Sequence, residues 1–331
     1  MKRSVRILTA TGIMLVAFSF GILGFSKVHA ADSANGNGIK VSPVRTDLTI
    51  KPGETQKVTM TVQNVTSGDS TFQAIVNDFV TNGESGAPAL ILDASKFAPS
   101  HSLKRYIASI PNFSLKAGET KNIPVTISIP ATAAAGGYYG AVRFAPASTD
   151  NSKNVTLSAS VGSIILVRVP GDVKDEMSIS SFDVRRGADG VGGSSFFTTN
   201  KDLYAVARFH NTGNVHEQPF GKIRLLKGTK VLQETEVNNV TPRGNVLPDS
   251  TRRFNIKLDK VGAFGKYSVE GNFGYGPNGQ LLSAKTSFWV IPMQLIITVI
   301  VALVVIIALI IGLPKAIKRY NRNVLRKAGS R

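Results

Sequence analysis

From Met293 to Leu313 the chain runs without a charged residue and is dense in Ile, Val and Leu. This is about the 20-residue length that an α-helix needs to cross a bilayer core. Phe288 and Trp289 stand just before the run, where interfacial aromatics are expected, and a basic cluster opening with Lys315, Lys318 and Arg319 stands just after it. By the positive-inside rule that cluster places the C-terminus in the cytoplasm. A buried core helix does not fit, because the tail beyond Leu313 is too short to cover one. Everything upstream must therefore fold outside the membrane.

The other end supports the same topology. Lys2, Arg3 and Arg6 precede an apolar stretch from about Ile7 to Phe25, followed by Val28-His29-Ala30-Ala31. Small residues at −3 and −1 fit signal peptidase, with cleavage between Ala30 and Ala31. Residues 31–38, rich in Asn, Gly and Ser, have nothing to bury and read as a flexible leader. Charge follows the topology. Of 39 Lys and Arg, four lie in the N-terminal segment and seven follow the last apolar run, which leaves 28 between them against all 21 acids. A mildly basic middle favours anionic wall polymers or lipid headgroups and makes no case for nucleic acid. The chain has no cysteine. Its extracellular domains must hold by core burial alone, which domains of more than about 100 residues can do, and a cysteine-free envelope protein points to a bacterial source.

Between Ile39 and Pro292 period-two alternation recurs. Val58, Met60 and Val62 alternate with polar residues, as do Ile123, Val125, Ile127 and Ile129, and Phe254, Ile256 and Leu258. This pattern predicts antiparallel strands with one buried and one wet face. Turn chemistry separates them: Lys51-Pro52-Gly53-Glu54, Lys116-Ala117-Gly118-Glu119 and Pro277-Asn278-Gly279. The expected architecture is all-β, two tandem immunoglobulin-like sandwiches followed by a single transmembrane helix. A break near Pro170-Gly171-Asp172 divides a first sandwich at 39–170 from a membrane-proximal second at 171–291. The helix then takes 292–313 and a basic cytoplasmic tail 314–331. The segments Tyr138–Phe144 with Val155–Val169, and Tyr267–Tyr275 with Leu281–Val290, are read as closing hairpins.

No catalytic constellation is visible, and no cofactor or metal is expected. Cysteine chemistry is excluded, His210 and His216 read as loop histidines, and Gly271–Gly279 lies in a hairpin and opens no phosphate-binding helix. Asn64, Asn112, Asn154 and Asn239 head acceptor sequons, which Thr-rich strands generate by chance. The most distinctive local feature is Gly136-Gly137-Tyr138-Tyr139-Gly140. Alternation turns one tyrosine inward and the other outward, and Tyr138 and Tyr139 are the candidate ligand contacts, the sequence not saying which is which.

Ile39-Lys-Val-Ser-Pro-Val44, the strand ending Val62-Gln-Asn-Val-Thr66, and Gly136-Gly-Tyr-Tyr-Gly-Ala-Val-Arg-Phe144 resemble the WxL-interacting protein family of Gram-positive surfaces. Phe209-His-Asn-Thr-Gly-Asn-Val-His216 and Phe288-Trp-Val-Ile-Pro292 resemble the membrane-proximal domain of such proteins. The resemblance implies a first domain that touches peptidoglycan and a second that engages another surface protein. The resulting expectation is a non-enzymatic, membrane-anchored binding or scaffold protein. The alternative is a chaperone-like factor that captures an extended partner segment by β-strand addition.

Overall fold

The computed structural model describes residues 38–147, 160–189 and 192–328; the signal segment with Ala30 and Ala31, nearly all of the leader, and Val155 to Ala159 lie outside them. The chain is mostly β, with several sheets forming sandwich-like domains and one apolar C-terminal helix. Nine strands come first: β1 (Ile39–Ser42), β2 (Arg45–Thr49), β3 (Thr55–Asn64), β4 (Ser70–Thr81), β5 (Pro88–Leu90), β6 (Phe113–Leu115), β7 (Thr120–Ser128), β8 (Gly136–Pro146) and β9 (Val161–Val169). One sheet has the order β1-β3-β7, and the other β2-β9-β8-β4-β5 with β6 also on β4. Between them lies a core with Met60, Val62, Phe72, Val125, Ile127, Val142, Phe144 and Val167 fully closed to solvent. The alternating residues read from sequence are the ones that face it. Pro124 sits in β7 at a sheet edge, the position where a residue without an N–H disturbs a sheet least.

The two Lys-x-Gly-Glu-Thr segments are the same turn used twice. Glu54 N donates to Lys51 O at 3.1 Å and Glu119 N to Lys116 O at 3.0 Å. Gly53 and Gly118 take φ of 83° and 76°, the positive values that a type II turn requires at its third residue.

Eight strands follow: β10 (Met177–Arg186), β11 (Phe196–Phe197), β12 (Leu203–Asn211), β13 (Phe220–Lys227), β14 (Lys230–Val237), β15 (Ser250–Lys257), β16 (Gly265–Tyr275) and β17 (Gln280–Val290). They form a three-stranded sheet β10-β12-β15 and a five-stranded sheet β11-β17-β16-β13-β14. Phe209, Phe273, Tyr267 and Phe288 dominate this core, with Phe209 edge-on to Phe273 at 4.9 Å. A buried asparagine ends the middle strand of the three-stranded sheet in each sandwich. Asn64 Nδ2 donates to Gly68 O and Leu115 O, and Asn211 Nδ2 to Val215 O and Val246 O. Each accepts at Oδ1 from the backbone N two residues on. A side chain so committed satisfies carbonyls at the turn that follows its strand and on the segment beside it. It also closes the Asn64 sequon to modification.

The helix α1 (Met293–Ala328) begins three residues after β17 ends. Residues Met293–Asn323 are long and apolar enough to cross a membrane. The sequence places the end of the apolar segment at Leu313, but the helix continues through Pro314. Proline removes one i→i−4 bond, while the Lys, Arg, Ala and Leu residues that follow are strong helix formers. Lys315, Lys318 and Arg319 are thus exposed on a helical extension.

Candidate functional site

Strand β4 carries an unusual polar pair inside an apolar run: Asn77 and Asp78 are both fully buried. A buried carboxylate needs donors, and Asp78 collects three from one loop. Ala98 N and Ser102 Oγ reach Oδ2 at 2.9 and 2.6 Å, and Lys104 N reaches Oδ1 at 2.9 Å. Asn77 Nδ2 donates to Ile91 O at 2.7 Å, while its Oδ1 accepts from Arg143 Nε. These bonds fasten residues 91–104 over the sheet, and Leu103 plugs into the core.

What the loop presents is cationic and aromatic. Lys104–Tyr106 form a single 3₁₀ turn. The Phe97 ring, 40% exposed, lies 4.2 Å from the Arg105 guanidinium and 4.8 Å from Lys104 Nζ. Tyr106 turns the other way, edge-on to Tyr138 at 5.4 Å, with His101 6.5 Å from Tyr138. Tyr138 packs against the sandwich core yet stays half-buried, its hydroxyl donating to Ala134 O; burial, then the nearby Tyr106, raise its pKa. Aromatic rings flanked by charge suit sugar faces and carboxylates alike. Sequence reasoning singled out Tyr138 here but missed Phe97, Lys104 and Arg105. The available signal was the Asn77-Asp78 pair interrupting the apolar strand.

Tyr139 goes elsewhere. It points out of its own sandwich, as alternation requires, but the second sandwich covers it to 3% exposure. Phe79, His101 and His216 surround its ring at 6.2, 5.8 and 5.6 Å, and burial raises its pKa well above the ordinary tyrosine value. Its hydroxyl lies where a side chain on Gly137 would stand, so that glycine makes room for it. Gly137 N also donates to Asn214 O at 2.7 Å.

The junction around Tyr139 is extensively bonded. Arg208 Nε reaches both oxygens of Glu84 at 3.0 and 2.8 Å, and Arg45 Nη2 reaches Asn245 Oδ1 at 3.0 Å. Arg168 on β9 grips Asp175 with both oxygens at 2.7 and 2.8 Å. Beside this pair, burial and then the Asp175 carboxylate push buried Glu217 up to about 8. Burial brings His216 down to about 4. Among the described residues no group of three or more His, Asp or Glu is placed to hold a metal ion. His210 instead bonds Thr251. Trp289, expected from the sequence to be an interfacial aromatic, lies on β17 and is 43% exposed.

Residues 46–146 match the family model described as WxL Interacting Protein, peptidoglycan binding domain. No curated protein matches the chain. Among solved structures, the class 5 fimbriae chaperone CfaA is 13% identical over 77% of this chain and 100% of its own, with a TM-score of 0.37. The E. coli chaperone DraB is 16% identical over 76% and 96%, at 0.34, and the Pseudomonas aeruginosa CupB2 chaperone 13% over 73% and 97%, at 0.31. The matched model describes a binding module, and it spans both the Asp78-anchored loop and the Gly136–Phe144 strand. Over residues 46–146 the chain is thus similar to the peptidoglycan-binding domain of WxL-interacting proteins.

Proposed function

We propose that this chain is a non-enzymatic surface protein that holds wall polymer against the membrane. In this reading the signal peptide is removed after Ala30, the sandwiches at 39–170 and 171–291 stand outside the cell, and the tail from 314 lies in the cytoplasm. The supporting observation is the coincidence of the peptidoglycan-binding match with the surface made by Phe97, Lys104 and Arg105. Peptidoglycan offers sugar faces for the rings and stem-peptide carboxylates for the cations. Such contacts weaken with salt, because exposed charges are screened over a Debye length of about 8 Å at physiological strength. The second sandwich then supplies the link to the membrane and a surface for a protein partner.

The test is sedimentation of the full chain, in detergent, with purified peptidoglycan. Phe97→Ala and the pair Lys104→Ala with Arg105→Ala are expected to lower the pelleted fraction, the pair losing most of its salt sensitivity as well. Equal pelleting of all variants, at a level shared by an unrelated basic sandwich protein, overturns the reading.

A further inference from the structure

The end of the second sandwich from which α1 departs carries features that its core does not require. The antiparallel register puts the end of β13, the starts of β14 and β16, and the ends of β15 and β17 at this one end. Three large aromatics are exposed here: Phe196 at 44%, Phe264 at 51% and Trp289 at 43%. Phe196 is the direct partner of Trp289 across the β11–β17 pair. Phe264 precedes Gly265, which pairs with Val290, the last residue of β17. Exposed lysines ring them, with Lys266 opposite Trp289 and Lys227 donating to Phe264 O. Lys230 and Lys260 extend the ring, while the nearby Asp259 is already paired with Lys257.

Nothing flexible separates this end from the helix. Ile291 N still donates to Phe197 O at 2.9 Å, and Pro292 O accepts from Leu295 N in the first turn of α1. Three residues reach at most roughly 11 Å, so an apolar helix that enters a bilayer brings the sandwich end to the headgroups. Aromatic rings with an apolar body settle at that depth, and lysines beside an anionic leaflet add attraction.

We infer that this end of the second sandwich is a lipid-docking face: Phe196, Phe264 and Trp289 insert into the headgroup layer while the surrounding lysines engage anionic lipid. The inference rests on the reading that α1 spans the membrane, and the experiment separates the two. Trp289 is the only tryptophan, so Trp289→Phe provides a silent background. Into it go Phe196→Trp, Phe264→Trp or, within the helix, Leu303→Trp. The full chain is reconstituted into phosphatidylcholine–phosphatidylglycerol bilayers brominated high on the acyl chains. Docking predicts that the probes at 196 and 264 emit at shorter wavelength than in detergent and are quenched by the bromines, as is the probe at 303. Quenching at 303 with none at 196 and 264 overturns docking and leaves the membrane span standing. No quenching at 303 removes the span, and docking with it.

Discussion

The rings of Tyr139 and His216 meet edge to face across the junction of the two sandwiches, with centroids 5.6 Å apart. Each belongs to a segment that is polar or glycine-rich in sequence, and each helps to cover the other from water. This makes Tyr139 a joining residue, whereas its neighbour Tyr138 packs within one sandwich.

Tyr139→Ala is expected to cost about 3–5 kcal/mol, the range for truncating a buried aromatic. The loss should fall on the junction. Denaturant unfolding of the full chain in detergent, followed by Trp289 emission and by far-ultraviolet circular dichroism, should change from coincident to separated transitions. Tyr138→Phe removes only the bond to Ala134 O and leaves the transitions together. Unchanged, coincident unfolding of Tyr139→Ala would show that the junction does not depend on this ring.

The titrating groups beside that pair act in opposite directions. Burial, with Arg45 and Arg168 opposed by Asp47 and Asp175, holds His216 at about 4, below its ordinary 6.5. Its neutral form is the folded one, so its contribution is complete above about pH 6.5 and is lost as pH falls towards 4. Glu217 is raised, first by burial and then by Asp175. It folds protonated, so its contribution is complete below its ordinary pKa and is lost as pH rises through the raised value. Each pH unit in either window is worth at most about 1.4 kcal/mol. Relative to wild type, the melting temperature of Glu217→Gln should therefore improve steadily from pH 5 to pH 8, and that of His216→Gln from pH 6.5 down to pH 4.5. A pH-independent difference for both would mean that neither group titrates differently on folding.

The equivalent asparagines make a paired prediction. Asn64→Ala removes the amide donor from Gly68 O, Leu115 O and Lys116 O, and Asn211→Ala removes it from Val215 O and from Val246 O, which keeps Glu217 N; each buried group left unpaired costs about 1–3 kcal/mol. Asn112→Ala, at an exposed sequon asparagine, should change stability by less than about 0.5 kcal/mol. Thermal melts of the three variants rank them, and equal melts would contradict the bonding described.

How far the sequence could be read depended on how local each cause is. Met60, Val62, Val125 and Ile127 face the core because alternation and burial are two views of one pleat, so that part was open to inspection. The twin turns were legible because Gly53 and Gly118 answer a local dihedral requirement. Both the burial of Tyr139 and the depressed His216 depend on a contact between residues 77 positions apart, which no periodicity carries. The α1 extension was missed because the span was bounded at Leu313 by its apolar run, which carries no information on where a helix ends; Pro314 interrupts one bond and the good helix formers after it continue the ladder.

Asp78 gives the closing test, since it joins stability to binding. Its three hydrogen bonds run to Ala98, Ser102 and Lys104, and bonds to a charged acceptor are worth about 1.5–3 kcal/mol each. Asp78→Asn keeps the shape but turns an N–H₂ group towards donors, so at least one bond must break. The strand itself stays paired, because β4 is bonded through its backbone to β8 from Phe72 to Asp78. The effect should therefore concentrate in the loop: faster proteolysis between residues 91 and 104, with the circular dichroism of the sandwich retained. Phe97, Lys104 and Arg105 would then lose their common geometry, and pelleting with peptidoglycan should fall as far as it does for the Lys104→Ala, Arg105→Ala pair, although no contact side chain has changed. A loop cut faster with full binding retained would place the polymer elsewhere on the first sandwich. Slow cutting with full binding would show that Asp78 is dispensable to the loop.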